Sequence, residues 1–286
     1  MFRLRIVATA IACSLMVRPV FAGGSASGVL ALSQDDKAAL AQAAKKVREI
    51  IGHRGSMLDR PENTLASYRR AIEAGANVAE CDVRTTRDGI LVSHHDGEIS
   101  RTSSGKGLVG DMTLAELRQL DFGGWFDPKF TGERIPTLQE ILELCHGKID
   151  VMLDLKESGQ PYAERIAALV RKHGEPKRIV LGIRSVEHAK QFRKLLPEAR
   201  QIGLVPTPED IAAFADAGVE TIRLWPKWLN DKSLVAKVRQ HKKQLHLGTG
   251  KGTRDEVVPL LQYEPESLAS DDPGRLRQTL AELTGK

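Results

Sequence analysis

The chain predicts an α/β fold, a closed (β/α)8 TIM-type barrel with an extended loop after its second strand region. Three observations carry this. Short apolar runs of strand length recur eight times, at 47–51, 78–83, 149–155, 178–183, 201–205, 221–225, 244–247 and 267–270. Between most of them lie stretches of ten or so residues with apolar positions three and four apart, at 65–73, 162–172, 187–196, 208–217, 233–241 and 275–283. That alternation implies right-handed strand–helix–strand units around a parallel sheet. Finally, no Gly-x-Gly-x-x-Gly follows the first run, as an open dinucleotide-binding sheet would carry, so eight strands with about eight helices favour closure.

In chain order, residues 1–22 read as an export signal. Arg3 and Arg5 precede an apolar run over 6–17, and Val20-Phe21-Ala22 offers a small-residue cleavage site. Twelve residues are too few to span a bilayer, which needs about 20. Residues 23–46 read as a Gly/Ser/Ala-rich linker and a first helix, and 47–286 as the barrel. The product is expected to be exported, to a periplasm or beyond, with no stable membrane insertion of the mature chain.

The first run leads into His53-Arg54-Gly55, where glycine permits a sharp turn. Pro61-Glu62-Asn63-Thr64 precedes the helix at 65–73, with Asn63 and Thr64 as its candidate caps. The second run holds Glu80 and Asp82, and a short run over 90–93 ends at His94-His95-Asp96. About 40 residues then intervene before the helix near Thr137, more than an ordinary connection. They are expected to hold a helix at 113–120 and an aromatic patch of Phe122, Trp125, Phe126 and Phe130, overhanging the active-site face. The third run ends in Asp154-Leu155-Lys156. Ser185, Thr207 and Asp272 are placed to cap later helices, and Trp225 closes the sixth run.

The formal charge of +5 overstates the basicity of the exported form, because Arg3, Arg5 and Arg18 lie in the signal and leave +2 without it. No dense basic stretch follows and aromatic residues make up 5%, which argues against nucleic acid as a partner. After export Cys81 and Cys145 remain, expected as buried free thiols rather than a disulfide.

Glu80 and Asp82, two apart in a strand, share a face, and Asp154 and Lys156 repeat the spacing on the next principal strand. Three carboxylates converging at the ends of neighbouring barrel strands call for a cation. All-oxygen ligands suit Ca²⁺ or Mg²⁺ rather than zinc. The competing reading pairs these acids with Arg84, Lys156 or another base. His53 and His95, at strand ends beside the cluster, fit a general acid and a general base, with Asp96 orienting His95. Arg54 and Lys156 suit the oxygens of a phosphate, against a blander reading as ion pairs with Glu62 and Asp154. Trp225 is the candidate for specificity, with core packing as its alternative.

His53-Arg54-Gly55, Pro61-Glu62-Asn63-Thr64, Gly75-Ala76-Asn77, Glu80-x-Asp82, Thr86-x-Asp88-Gly89, His95-Asp96, Arg101-Thr102 and Ile135-Pro136-Thr137-Leu138 occur in the order seen in the glycerophosphodiester phosphodiesterase family, which the chain resembles over roughly residues 49–157. Further on, Ser270-Asp271-Asp272-Pro273 resembles the family's closing Thr-Asp-x-Pro, while Leu247-Gly248-Thr249 departs from its usual Trp-Thr-Val-Asn. The resemblance implies a TIM-type barrel and metal-dependent hydrolysis of glycerophosphodiesters to sn-glycerol 3-phosphate and an alcohol. It implies Glu80 and Asp82 as metal ligands and His53 and His95 as the acid/base pair. The third ligand is commonly the Glu of a Glu-x-Lys run, here Asp154. An Asp-x-Lys run also occurs in sphingomyelinase D-like enzymes, so a phospholipase D-like lyase acting on lysophospholipids is the alternative. An exported binding protein without catalysis is the alternative from another class.

Overall fold

A computed structural model describes residues 33–285; the export signal expected over 1–22 and the linker as far as residue 32 lie outside the described residues. The strands are β1 (Glu49–Gly52), β2 (Val78–Thr85), β3 (Leu91–Ser93), β4 (Asp150–Leu155), β5 (Ile179–Ile183), β6 (Arg200–Gly203), β7 (Thr221–Arg223), β8 (Gln244–Gly248) and β9 (Ser267–Ser270). All but β3 pair in parallel, in the order β1-β9-β8-β7-β6-β5-β4-β2, and β1 also pairs with β2 and closes the barrel. The eight apolar runs are thus the eight barrel strands. The run over 90–93 is different in kind: β3 lies antiparallel on β2, as a hairpin outside the barrel wall.

The helices are α1 (Gln34–Lys46), α2 (Leu65–Glu73), α3 (Leu114–Leu117), α4 (Leu138–Cys145), α5 (Gln160–His173), α6 (Val186–Leu195), α7 (Ile211–Asp216), α8 (Lys232–Gln240), α9 (Arg254–Leu261) and α10 (Pro273–Thr284). Thr64, Ser185 and Asp272 accept the backbone N–H three residues on and so start α2, α6 and α10. Two expectations were too long. The helix over 113–120 closes after one turn as α3, because Gln119 and Leu120 turn back onto Glu116 and Leu117 by three-residue bonds. The helix over 208–217 begins as a 3₁₀ turn at Pro208–Asp210 before α7, with Pro208 at its first position and Thr207 and Asp210 closing a capping box. Among the described residues no helix is long and apolar enough to cross a membrane.

Period-two alternation sorts each strand between two cores. Cys81, Val83, Leu153, Leu155, Leu181, Ile183, Ile222, Leu245 and Leu247 face the helices. Ile51, Val78, Met152, Val180, Ile202, Leu204 and Ala269 fill the barrel. One or two pleats further along the same inward rows stand Glu80, Asp82, Asp154 and Arg223, so the alternation that fills the barrel also carries polar groups to its mouth. A separate cluster of Val92, Ile99, Val109, Leu117, Phe122 and Ile135 gives the long segment after β3 a core of its own. Cys81 and Cys145 are buried free thiols.

Candidate active site

The loop after β1 builds the first wall of the site. Arg54 sits in the left-handed region (φ 51°), as does Asn63 (φ 57°), and Gly55 follows at φ 88°. A Cβ on Gly55 would stand 2.4 Å from Ser67 Oγ, so both the turn and its packing on α2 require glycine. The left-handed turn costs Arg54 about 1–2 kcal/mol. It also aims the Arg54 N–H at Glu80 Oε2, 2.7 Å away, and the guanidinium at Glu62, with Nη1 2.8 Å from Oε1. Strain of this kind is held where surrounding contacts over-determine it. Arg101, reaching in from the long segment, grips Glu62 with both Nη atoms at 2.9 and 2.7 Å. Burial would raise the Glu62 carboxyl, but Arg101 and Arg54 outweigh it and hold it below its usual value.

Glu80, Asp82 and Asp154 converge as expected. One ligand oxygen from each lies within 4.8 Å of the others, and all three are buried. Asp82 and Asp154 are direct register partners across β2 and β4. Both readings of these acids hold in part, because two of the three are also ion-paired. Lys156 Nζ lies 2.8 Å from Asp82 Oδ1 and 2.6 Å from Asp154 Oδ2, and Arg184 adds Nη2 at 2.7 Å from Asp154 Oδ2. Among the described residues Arg84 takes no carboxylate and donates to the His95 carbonyl instead. Burial would raise Asp82, but Lys156 and Arg54 hold it low. Glu80 lacks such a cation; the Arg54 N–H is its one donor among the described residues. Burial, with the neighbouring Asp82 charge, pushes its carboxyl up to about 7. A buried carboxylate short of positive charge, beside two others and with only oxygens as candidate ligand atoms, fits a hard divalent cation.

Asn63, expected as a cap, turns out to position Asp82, donating to Oδ2 from Nδ2 at 2.8 Å. Its Oδ1 accepts from the Tyr68 and Ser93 hydroxyls at 3.0 and 2.7 Å.

The two histidines flank the cluster. His53 Nδ1 lies 2.7 Å from Asp271 Oδ1, and His95 Nδ1 lies 2.8 Å from Asp96 Oδ1, leaving each Nε2 without a protein partner among the described residues. Asp96 is itself held by Arg101 Nε at 2.6 Å. Their surroundings pull in opposite directions. Burial would lower His53, yet the hydrogen bond to Asp271 and the charge of Glu80 raise it above its usual value. Burial lowers His95, and the charges of Lys156 and Arg54 reinforce this against Asp82 and Asp96. His94 is buried with both ring nitrogens engaged, Nδ1 by the Asp96 carbonyl at 2.9 Å and Nε2 by Thr102 Oγ1 at 2.8 Å, as a neighbour pointing the other way should be.

Trp225, two residues past β7, packs against the inner barrel core and donates Nε1 to the Val205 carbonyl at 2.9 Å. Phe130, at the far end of the aromatic patch, lies under the Arg60 guanidinium at 5.4 Å. Sequence reasoning assigned no role to Asp271, Arg101, Arg184 or Arg223. Asp271 carried a usable signal: closing a barrel sets the ends of the first and last strands side by side, and the His53 N–H donates to the Ser270 carbonyl at 2.9 Å.

Residues 53–275 match the profile of the Glycerophosphoryl diester phosphodiesterase family. Over 160 residues the chain is 38% identical to a glycerophosphodiester phosphodiesterase of Caldanaerobacter subterraneus subsp. tengcongensis, an alignment covering 54% of this chain and 65% of that relative, just under two thirds of its length. A crystal structure of glycerophosphodiester phosphodiesterase from Agrobacterium tumefaciens superposes with a TM-score of 0.70 at 28% identity, covering 81% of this chain and 100% of that one. An Oleispira antarctica phosphodiesterase, solved in complex with the product sn-glycerol-3-phosphate, superposes with a TM-score of 0.72 at 26% identity, covering 83% and 98%.

Proposed function

Because the chain belongs to the glycerophosphoryl diester phosphodiesterase family, we propose that it hydrolyses glycerophosphodiesters to sn-glycerol 3-phosphate and an alcohol, with His53 and His95 as the proton-transfer pair. The observation that carries this reading is two histidines, each oriented by a carboxylate through Nδ1, on either side of three buried acids that include an under-neutralised Glu80.

His95, kept neutral by burial and by the cations near it, takes a proton from the attacking group, either water, which gives sn-glycerol 3-phosphate directly, or the glycerol 2-hydroxyl, which gives a cyclic phosphate that water then opens to the same product. His53, kept protonated further up in pH, delivers a proton to the leaving alcohol. Arg54, locked by Glu62 and Arg101, and Lys156 bind the phosphoryl oxygens. Glu80, Asp82 and Asp154 would hold a divalent cation, Ca²⁺ or Mg²⁺ by the chemistry of their oxygens, which supplies Lewis-acid stabilisation of charge on the phosphate. The amino-terminal 22 residues read as a signal, so the reaction is placed after export.

Phosphorus NMR of the purified protein with glycerophosphocholine and lysophosphatidylcholine, with Ca²⁺, Mg²⁺ or chelator, tests the reading. It expects sn-glycerol 3-phosphate from the first substrate, abolished by chelator. A cyclic phosphate released from the lysolipid alone would replace it with the lyase alternative.

A further inference from the structure

Every cation of the reaction centre described above is already engaged. Arg54 holds Glu62, Lys156 bridges Asp82 and Asp154, and Arg184 is bound to Asp154. Arg223 is not. It stands at the end of β7 on the row that faces into the barrel, since its neighbour Ile222 faces the helices. Among the described residues its guanidinium makes no ion pair or hydrogen bond, and its Nε is buried without a partner. A buried guanidinium donor left unpaired is costly, and such an exception calls for a reason.

An aromatic ring and a glycine flank its guanidinium. The Trp225 ring covers one face, with Cζ 4.2 Å from the ring centroid. On the neighbouring strand, Gly248 leaves a gap where a Cβ would lie 3.5 Å from Arg223 Nη2. Beside it, Arg184, Leu204, Val205, Trp225 and Lys227 line a cleft of about 580 Å³. In the closed strand order β7 lies three strands from β1 and four from β2, so Arg223 faces the histidines and the carboxylates from across the barrel. A phosphodiester seated on Arg54 and Lys156 would be held by the opposite wall.

We infer that the β5–β7 side of the mouth is a second anion subsite, in which Arg223, with Lys227 in the adjoining cleft, binds a negatively charged group on the alcohol half of the substrate. This rests on the phosphodiesterase reading above. The glycerol half of such a diester carries only hydroxyls, so the second anion, a phosphate monoester or a carboxylate, belongs to the alcohol. The preferred diester therefore has an acidic head group, and a cationic one such as choline is the poorer ligand.

The test compares kcat/KM for glycerophosphoglycerol and for the same diester carrying a phosphate on its distal hydroxyl, in the parent protein and in Arg223→Met, which keeps an unbranched stem. The parent should prefer the phosphorylated diester by roughly 10- to 100-fold, the worth of a charge-assisted hydrogen bond. In Arg223→Met that ratio should collapse toward one. A parent that turns over both diesters equally overturns the subsite and leaves the phosphodiesterase reading standing, and this comparison needs no variant to fold. A variant that keeps the parent's ratio also overturns it, since Arg223 would then serve something common to both substrates. Hydrolysis of neither diester overturns the phosphodiesterase reading and the subsite with it.

Discussion

Asn63→Ala strikes one side chain that serves both the fold and the site. The amide donates to Asp82 Oδ2 at 2.8 Å and accepts from the Ser93 and Tyr68 hydroxyls at 2.7 and 3.0 Å, in a position 3% exposed. After truncation one of these hydroxyls can turn its proton to the other, 2.8 Å away, so the largest loss is the bond to the Asp82 carboxylate, worth about 1.5–3 kcal/mol. The backbone adds a second cost. At φ 57° asparagine is tolerated, whereas alanine carries roughly 1 kcal/mol of steric penalty. Together they predict a loss of about 3 kcal/mol, read by urea denaturation in chelator. Asn63→Gly should recover roughly 1 kcal/mol of it, because glycine adopts the turn without strain. Calorimetric titration with Ca²⁺ and Mg²⁺ should show Asn63→Ala weakened by about 10- to 100-fold, the usual effect of freeing a ligand from its outer support. Parental stability and parental cation affinity in Asn63→Ala would refute the reasoning.

The electrostatics make two further predictions. Asp271 is what raises His53 against burial, so Asp271→Asn should lower the His53 pKa and move the alkaline limb of kcat/KM, where His53 must still be protonated, to lower pH; an unmoved limb removes His53 as the acid. Glu80 has a folded pKa pushed up to about 7, above its unfolded value. Its contribution is therefore fully present below the ordinary carboxylate range and is lost as pH rises through about 7. In chelator the melting temperature should fall across that window, Glu80→Gln should flatten the fall, and a divalent cation should restore more stability above the window than below it. A melting profile that is equally steep in Glu80→Gln places the titration elsewhere.

The barrel was legible because its signal is local. Each strand is a contiguous apolar run, and the caps at Thr64, Ser185 and Asp272 act within one turn of their helices. Glu80, Asp82 and Asp154 were legible for the same reason, since a spacing of two fixes the face. The failures needed distance. Arg101 reaches Glu62 and Asp96 from a segment whose path is set by its own small core, which no periodicity announces. Asn63 follows the helix-cap pattern in sequence, but its left-handed backbone turns the amide to Asp82 while Thr64 does the capping. Arg184 directly follows β5 and Arg223 ends β7, strands whose sequence looks like plain core, and only closure of the barrel brings them to the mouth.

The division of labour between the two histidines is tested most directly by leaving-group dependence. Release of sn-glycerol 3-phosphate would be followed for the parent, His53→Ala and His95→Ala, with glycerophosphocholine and with the p-nitrophenyl diester, whose leaving group needs no proton. With the choline diester each variant should lose on the order of 10²–10⁴ in rate. With the p-nitrophenyl diester His53→Ala should recover most of that loss and His95→Ala none of it. Recovery in His95→Ala alone would reverse the assignment, and near-parental rates in both variants would contradict proton transfer by this pair.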